Sequence, residues 1–195
     1  MTASTTLRDV IGLDNTLPRL ADSTLVLIDF QNTYRSGVMA LDGAEEALAA
    51  GARLLAAARA AGIPVVHVAD AGYDLGSEAG AISPEVAPAE GEPVVVKQVP
   101  NAFHATGLEK TLRDLGAGPD LVLAGFMTHM CVQFTAQGAF NLGFRPTVVA
   151  EATATRPLAA PDGTLVPAAA LQTAALTTIA DVFGPVAATL GDLAP

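Results

Sequence analysis

The sequence lacks tryptophan, has one cysteine and carries 10 lysine and arginine residues against 20 aspartate and glutamate residues, giving a net charge of −10. A single cysteine forms no internal disulfide, so we expect a reducing, cytoplasmic setting. The shortage of basic residues excludes a nucleic-acid-binding surface, because no cluster of lysine and arginine is available to neutralise phosphates. Scarce aromatic residues favour close packing of small side chains between helices and a sheet.

No basic segment followed by an apolar one precedes the first apolar run, which argues against a secretory leader. Residues 121–144 lack charged side chains and are long enough to raise the question of a membrane span. Glycines and polar side chains interrupt this stretch, so a transmembrane helix is not predicted. The hydrophobic content of 51% and charged content of 15% instead indicate a compact, soluble protein.

Short apolar runs alternate with helical patterns along the chain. The predicted strands are residues 23–29, 63–70, 92–97, 120–126, 145–151 and a short sixth at 185–190; the predicted helices are residues 44–62, 104–116, 130–143 and 167–184. This alternation predicts an α/β fold, a three-layer α-β-α arrangement with a mostly parallel six-stranded sheet, in one domain over residues 1–195. Residues 71–92 form a long loop, a length that is often functional.

Three chemically active side chains lie where predicted strands end. Asp29 ends the first strand, Lys97 ends the third, and Cys131 comes shortly after the fourth. Ligands of open α/β sheets bind beyond the carboxyl ends of the strands, at the point where the strand order reverses. The sequence therefore predicts that a carboxylate, an ammonium and a thiol meet at one edge of the sheet.

These three groups suit nucleophilic catalysis. Thr128 is a candidate N-cap, which would place Cys131 in the first helical turn, and the helix dipole and Lys97 would then favour the thiolate over a thiol of pKa ~8.5. Asp29 is the candidate base and proton donor, and backbone N–H groups near Cys131 are candidate oxyanion donors. His129 is a second candidate base.

Each residue also has an ordinary structural explanation. A cysteine among apolar residues is commonly an inert core residue, an aspartate after a strand is commonly a turn residue, and Lys97 is explicable as the first solvated residue after a buried strand. His67, inside an apolar strand, is predicted to be a core residue, and His104 is predicted to begin a helix.

The sequence resembles the isochorismatase-like cysteine hydrolases, the superfamily that includes nicotinamidases and N-carbamoylsarcosine amidohydrolase. The resemblance rests on four segments in the family order and spacing, and it covers nearly the whole chain. They are LVLIDFQNTY (25–34), VVVKQVPNAFHATGLE (94–109), GFMTHMCV (125–132) and FNLGFRPTVVAEATATR (140–156).

The resemblance implies a parallel six-stranded sheet and a catalytic triad of Asp29, Lys97 and Cys131. It further implies a cis peptide bond between Phe126 and Met127, with the N–H groups of Met127 and Cys131 forming the oxyanion hole. Relatives commonly form dimers or tetramers, so we expect a homo-oligomer.

Nicotinamidases of this superfamily have a metal site built on an aspartate followed closely by histidines. Here Asp70 is followed by AGYDLGSEAG, a segment without histidine, so neither a metal nor another cofactor is expected. At two positions the chain has Phe134 and Gln137 where many relatives have a small hydroxyl residue and an arginine. The predicted pocket walls are aromatic: Tyr34, Tyr73, Phe103 and Phe134.

The sequence thus predicts a metal-independent cysteine hydrolase that cleaves a C–N bond of a small amide, lactam or carbamoyl compound through a thioester acyl-enzyme. Two alternatives remain: a vinyl-ether hydrolase of the isochorismatase type, and a non-catalytic binding or redox-sensing protein on the same fold. A dinucleotide-binding protein is disfavoured, because no G-x-G-x-x-G follows the first strand.

Overall fold

The computed structural model describes residues 3–194, so positions 1, 2 and 195 of the predicted domain lie outside the described residues. The α-helices are α1 (Leu7–Val10), α2 (Ala44–Ala61), α3 (Leu108–Asp114), α4 (Gln133–Asn141) and α5 (Ala168–Thr178). The strands are β1 (Thr24–Ile28), β2 (Val65–Asp70), β3 (Val94–Lys97), β4 (Asp120–Phe126), β5 (Arg145–Ala154), β6 (Leu158–Ala159), β7 (Leu165–Val166) and β8 (Val186–Ala187). Short 3₁₀ turns span Leu20–Asp22, Asn32–Tyr34, Gly37–Met39, Pro84–Val86 and Leu190–Asp192, and π-helical turns span Thr128–Val132 and Ile179–Phe183.

Six strands form one parallel sheet in the order β3-β2-β1-β4-β5-β8. Side chains of β1 alternate between two buried clusters: Leu25 and Leu27 pack with α2 on one face, and Val26 and Ile28 pack with α3 and α4 on the other. Helices therefore cover both faces, as expected for a parallel sheet. The predicted three-layer α/β fold is confirmed, with every strand of this sheet parallel.

The predicted helix at residues 104–116 begins later, at Leu108. Ala105 has a φ of 54°, in the left-handed region, which interrupts any helix through this position. His104 therefore lies in a turn and does not begin the helix. His67 is a buried core residue as predicted, and its Nε2 lies 2.9 Å from Glu92 Oε2.

Other predicted elements also differ from the structure. The sixth strand is confined to β8, and the last helix ends in a π-helical turn. The hairpin of β6 and β7 lies in a segment for which the sequence predicted no strand.

The uncharged stretch at 121–144 divides into β4, a π-helical turn and α4. Among residues 3–194, no helix is long and apolar enough to cross a membrane.

Gly125 allows β4 to lie directly against β1. It pairs with Ile28 across the two strands and has a φ of 132°, where side chains are strained. A Cβ at this position would lie 1.9 Å from the carbonyl oxygen of Ile28. Because Asp29 and the turn that holds Cys131 follow these two strand ends, this close approach determines how near the two residues lie to each other.

We expect Gly125→Ala to lower the free energy of unfolding by about 3 kcal/mol or more, since the strands must separate and the alanine must adopt a positive φ. Gly143→Ala is the matched control: its φ is 84°, but a Cβ there meets nothing within 4 Å. It should cost only ~1–2 kcal/mol. Urea unfolding of both variants measures the difference, and equal losses would contradict the close-contact explanation.

Candidate active site

Asp29 and Cys131 lie at the switch point of the sheet. From β1 the chain proceeds to β2 and β3 on one side, and β4 then returns to the other side of β1. Asp29 directly follows β1 and has a φ of 50°, so the chain turns sharply there while the Asp29 N–H still donates to the carbonyl of Val68. Both residues thus lie where the strand order reverses, at the edge of the sheet that the sequence predicted.

The structure brings the three predicted polar groups together around one ammonium. Lys97 Nζ lies 2.8 Å from Asp29 Oδ2 and donates a hydrogen bond to Cys131 Sγ at 3.3 Å. All three residues are buried. The ordinary explanation of Lys97 as a solvated residue is therefore wrong: its side chain points into the protein and reaches the ends of β1 and β4.

A fourth ionisable group joins this cluster. Asp70, the last residue of β2, lies with its Oδ2 2.6 Å from Lys97 Nζ. The sequence pattern indicated this residue only as a possible metal ligand and did not predict its contact with the lysine. The contact follows from the strand register, because Asp70 and Lys97 are direct partners across β2 and β3.

Burial dominates the protonation of the site. It raises the pKa of Asp29 to about 6, against the opposing effect of Lys97. Burial and then the charge of Asp29 raise the pKa of the Cys131 thiol to about 12. Burial alone would lower the pKa of Lys97, but Asp29 and Cys131 raise it above its ordinary value. Burial therefore opposes the predicted thiolate, and these pKa directions favour a neutral thiol, an ammonium and a carboxylate at neutral pH.

The turn that carries Cys131 also differs from the predicted helix start. It is π-helical from Thr128 to Val132, and Met127, not Thr128, is the cap residue. The Thr128 hydroxyl is buried and has no hydrogen-bond partner among residues 3–194. This turn continues directly into α4, so Cys131 lies in the first turn of one continuous helix, as predicted. The expected cis peptide bond between Phe126 and Met127 is present.

Asp29, Asp70 and Cys131 have ligand atoms within 4.8 Å of one another, which is compact enough to consider a metal ion. Within the described part of the chain, however, no histidine joins this group, and Lys97 Nζ is in contact with all three residues. An ammonium at this position supplies the positive charge that the carboxylates require and would repel a divalent ion. These residues do not fit the metal site of the nicotinamidases.

Two of the predicted aromatic residues pack beside the cluster. Tyr34 is buried, with its ring 5.6 Å from that of Tyr73 and 5.8 Å from that of Phe126 in edge-on contacts. Burial raises the pKa of the Tyr34 hydroxyl, and the nearby charges of Asp29 and Cys131 act in the same direction. Tyr34 and Tyr73 therefore remain candidates for pocket walls.

The other two aromatic residues are placed differently. Phe103 stacks on Phe144, the residue before β5, with ring centroids 5.8 Å apart. This contact gives Phe103 a packing role, and its place in the pocket wall stays a prediction. Phe134 is 40% exposed on α4, so it remains available for contact with a ligand.

His129 is held by a residue outside the cluster. Its Nδ1 lies within hydrogen-bond distance of Thr155 Oγ1, just beyond β5. Burial, and secondarily the charge of Arg156, lower the pKa of His129. Asp29, which is in direct contact with Lys97, is thus the better placed of the two candidate bases.

Comparison with known proteins agrees with this geometry. Residues 23–189 match the model of the isochorismatase domain. The chain belongs to the isochorismatase family. A crystal structure of a family member from Pseudomonas putida KT2440, described as an isochorismatase, superposes with a TM-score of 0.90 at 41% identity, covering 95% of this chain and 97% of that one.

Two relatives in the family have names that state an activity or a role. The secreted isochorismatase effector Isc1 of Verticillium dahliae is 36% identical over 183 residues, which cover 91% of this chain and 93% of the relative. Maleamate amidohydrolase of Pseudomonas putida is 36% identical over 149 residues, which cover 65% of this chain and 70% of that enzyme. These relatives support the conclusion that the chain is a hydrolase of the isochorismatase family.

We expect Asp29→Asn to accelerate alkylation of Cys131 by iodoacetamide at neutral pH, because the negative charge that raises the thiol pKa is removed. Lys97→Met should slow alkylation, since the ammonium lowers that pKa. Mass spectrometry of the single cysteine gives the rate, thermal melts establish that each variant folds, and Asp42→Asn serves as a control. Slower alkylation of Asp29→Asn than of the wild type would contradict the electrostatic account.

Proposed function

We propose that this protein is a metal-independent cysteine hydrolase that cleaves the C–N bond of a small amide, lactam or carbamoyl compound. The observation that carries the proposal is the buried contact of Lys97 Nζ with both Asp29 and Cys131. A thiol, a carboxylate with a pKa of about 6 and a fixed ammonium are the parts required for acyl transfer through a cysteine. The amidohydrolase named among the relatives supports the choice of a C–N bond.

Acylation begins with a neutral thiol. Because the pKa of Cys131 is about 12, its proton leaves as the C–S bond forms and not beforehand. Asp29 accepts that proton while Sγ attacks the substrate carbonyl, and Lys97 stabilises the negative charge shared by sulfur and carboxylate. The tetrahedral intermediate then collapses: the C–N bond breaks, Asp29 returns the proton to the leaving nitrogen, and a thioester on Cys131 remains.

Deacylation uses the same groups in reverse. Asp29 takes a proton from a water molecule as its oxygen attacks the thioester carbonyl. The C–S bond breaks, the carboxylic acid leaves, and Cys131 regains a proton from Asp29. We propose the N–H groups of Met127 and Cys131 as the oxyanion donors in both halves, since Met127 directly precedes the turn that carries the sulfur and Cys131 lies within it.

We propose Tyr34, Tyr73, Phe103 and Phe134 as pocket walls around the only cysteine of the chain. The net charge of −10 favours neutral or cationic substrates over polyanions.

We also propose that the protein forms a homo-oligomer, either a dimer or a tetramer. We propose a cytoplasmic location because the chain has a single cysteine. One relative is by name a secreted effector, so fractionation of the native host is the relevant test of location.

A second candidate activity is vinyl-ether hydrolysis of the isochorismatase type, which the name of the effector Isc1 favours. Such a reaction does not need a thiol nucleophile, so the two candidates differ in their dependence on Cys131. A third, non-catalytic role in binding or redox sensing predicts no turnover of either substrate class.

We expect a screen of small amides, lactams and ureides, with isochorismate included, to reveal release of ammonia or amine by the wild type. Cys131→Ala should abolish that release, and a thioester adduct on Cys131 should be trapped by mass spectrometry. Turnover of isochorismate that persists in Cys131→Ala would favour the vinyl-ether reaction. Amide turnover that survives this substitution, or that disappears on chelation and returns with one metal, would contradict the proposal.

We expect kcat/KM on such an amide to fall as the pH falls through about 6, because protonated Asp29 does not accept the thiol proton. In Asp29→Asn the rate should drop by ~10²–10⁴ and this acid limb should vanish. Stopped-assay pH profiles of both proteins provide the measurement. An acid limb that persists in Asp29→Asn would show that Asp29 is not the titrating base, and a wild-type limb near the ordinary aspartate pKa of ~4 would contradict the raised pKa of Asp29.

A further inference from the structure

Hydrogen bonds of its backbone, as well as contacts of its side chain, hold Asp70 in the cluster. Its N–H donates to Gln31 Oε1 at 2.9 Å, and its carbonyl accepts from Gln31 Nε2 at 3.2 Å. The next residue, Ala71, donates its N–H to the carbonyl of Lys97 at 2.8 Å. Asp70 is therefore fixed between the turn after β1 and the end of β3, the two segments that carry Asp29 and Lys97.

The two carboxylate oxygens of Asp70 have different partners. Oδ1 accepts the N–H of Gly72 at 2.8 Å, which closes an Asx turn, and Oδ2 lies 2.6 Å from Lys97 Nζ. The side chain of Asp70 is 20% exposed, whereas those of Asp29 and Lys97 are fully buried. Asp70 is thus the partly exposed partner of the Lys97 ammonium, which also contacts Asp29, the buried candidate base.

The charges of the cluster do not cancel. Two carboxylates and one ammonium leave an excess negative charge when Cys131 is a thiol. The Lys97 contact to Asp70, at 2.6 Å, is at least as short as its contact to Asp29, at 2.8 Å. The charged or titratable groups that act on Asp29 are Lys97 from β3, Asp70 from β2, Cys131 from the turn after β4 and the hydroxyl of Tyr34.

We propose that Asp70 is a positioning residue which shares the Lys97 ammonium with Asp29 and so keeps Asp29 basic enough to take the thiol proton. The idea rests on the proposed hydrolase function. If Lys97 had Asp29 as its only carboxylate partner, the ammonium would stabilise the Asp29 carboxylate and lower its basicity. It would also stabilise the thiolate form of Cys131. The negative charge of Asp70 acts on Asp29 in the expected direction, raising its pKa.

The test compares Asp70→Asn with Asp74→Asn. Asp74 is the matched control, because it lies in the same loop and its Oδ1 also accepts an N–H two residues ahead, from Gly76 at 3.0 Å. Asparagine preserves both Asx turns, so only the charge beside Lys97 distinguishes the two variants. Asp70→Glu is the charge-preserving variant. All solutions contain a chelator, which removes adventitious metal from the comparison.

In Asp70→Asn we expect the acid limb of kcat/KM and the midpoint of Cys131 alkylation to move down by about 1 pH unit. The plateau of kcat should fall by ~3–10-fold because Asp29 becomes a weaker base. Asp74→Asn should match the wild type, and Asp70→Glu should restore most of both midpoints. Unchanged midpoints in a folded Asp70→Asn protein, or equal changes in both asparagine variants, would overturn the proposal and leave Asp70 as a loop anchor.

The alkylation profile separates this proposal from the proposed function. If the wild type hydrolyses no amide, the hydrolase assignment fails, while the shift of the Cys131 midpoint between Asp70→Asn and Asp74→Asn still reports whether Asp70 competes for Lys97. If amides are hydrolysed but that midpoint does not move, only the role of Asp70 is wrong.

Discussion

The buried ammonium of Lys97 is the group on which the rest of the site depends. A lysine side chain without exposure is stable in its charged form only when carboxylates surround it, and breaking one such pair typically costs about 3–5 kcal/mol. Lys97 has two carboxylate partners, Asp29 and Asp70, and a third contact to the sulfur of Cys131. The same ion therefore holds three strand ends together and determines the protonation of the groups that act on a substrate.

The parallel sheet explains how these groups meet. Asp29, Asp70 and Lys97 directly follow or end β1, β2 and β3, and all carboxyl ends of parallel strands lie at one edge. β4 adds Cys131 from the other side of β1, after a close approach that a glycine at position 125 permits. The chain order of the strands, more than any local motif, thus assembles the cluster from segments about a hundred residues apart.

Much of this site was predictable from the sequence. Asp29, Lys97 and Cys131 each come just after an apolar run, and the alternation of strands and helices places such positions at one edge. Asp70 was missed because its contact with Lys97 depends on the register of β2 and β3, which apolar runs do not specify. The protonation of Cys131 is hard to predict for a related reason: a nearby ammonium is visible in the sequence, but the burial that raises the pKa of the thiol is not. The late start of α3 follows from the backbone of Ala105, an alanine in a left-handed conformation that residue type does not predict.

The central claim is that the resting site holds a neutral thiol beside an ammonium shared by two carboxylates. Ultraviolet absorbance of the thiolate, taken as the difference between the wild type and Cys131→Ala, tests this most directly, because the chain has one cysteine and no tryptophan. Between about pH 5 and pH 9, a range that brackets the ordinary cysteine pKa, the account predicts no thiolate signal, with absorbance appearing only above that range. A thiolate signal already present at neutral pH would contradict it and would assign Lys97 to the sulfur in preference to Asp29.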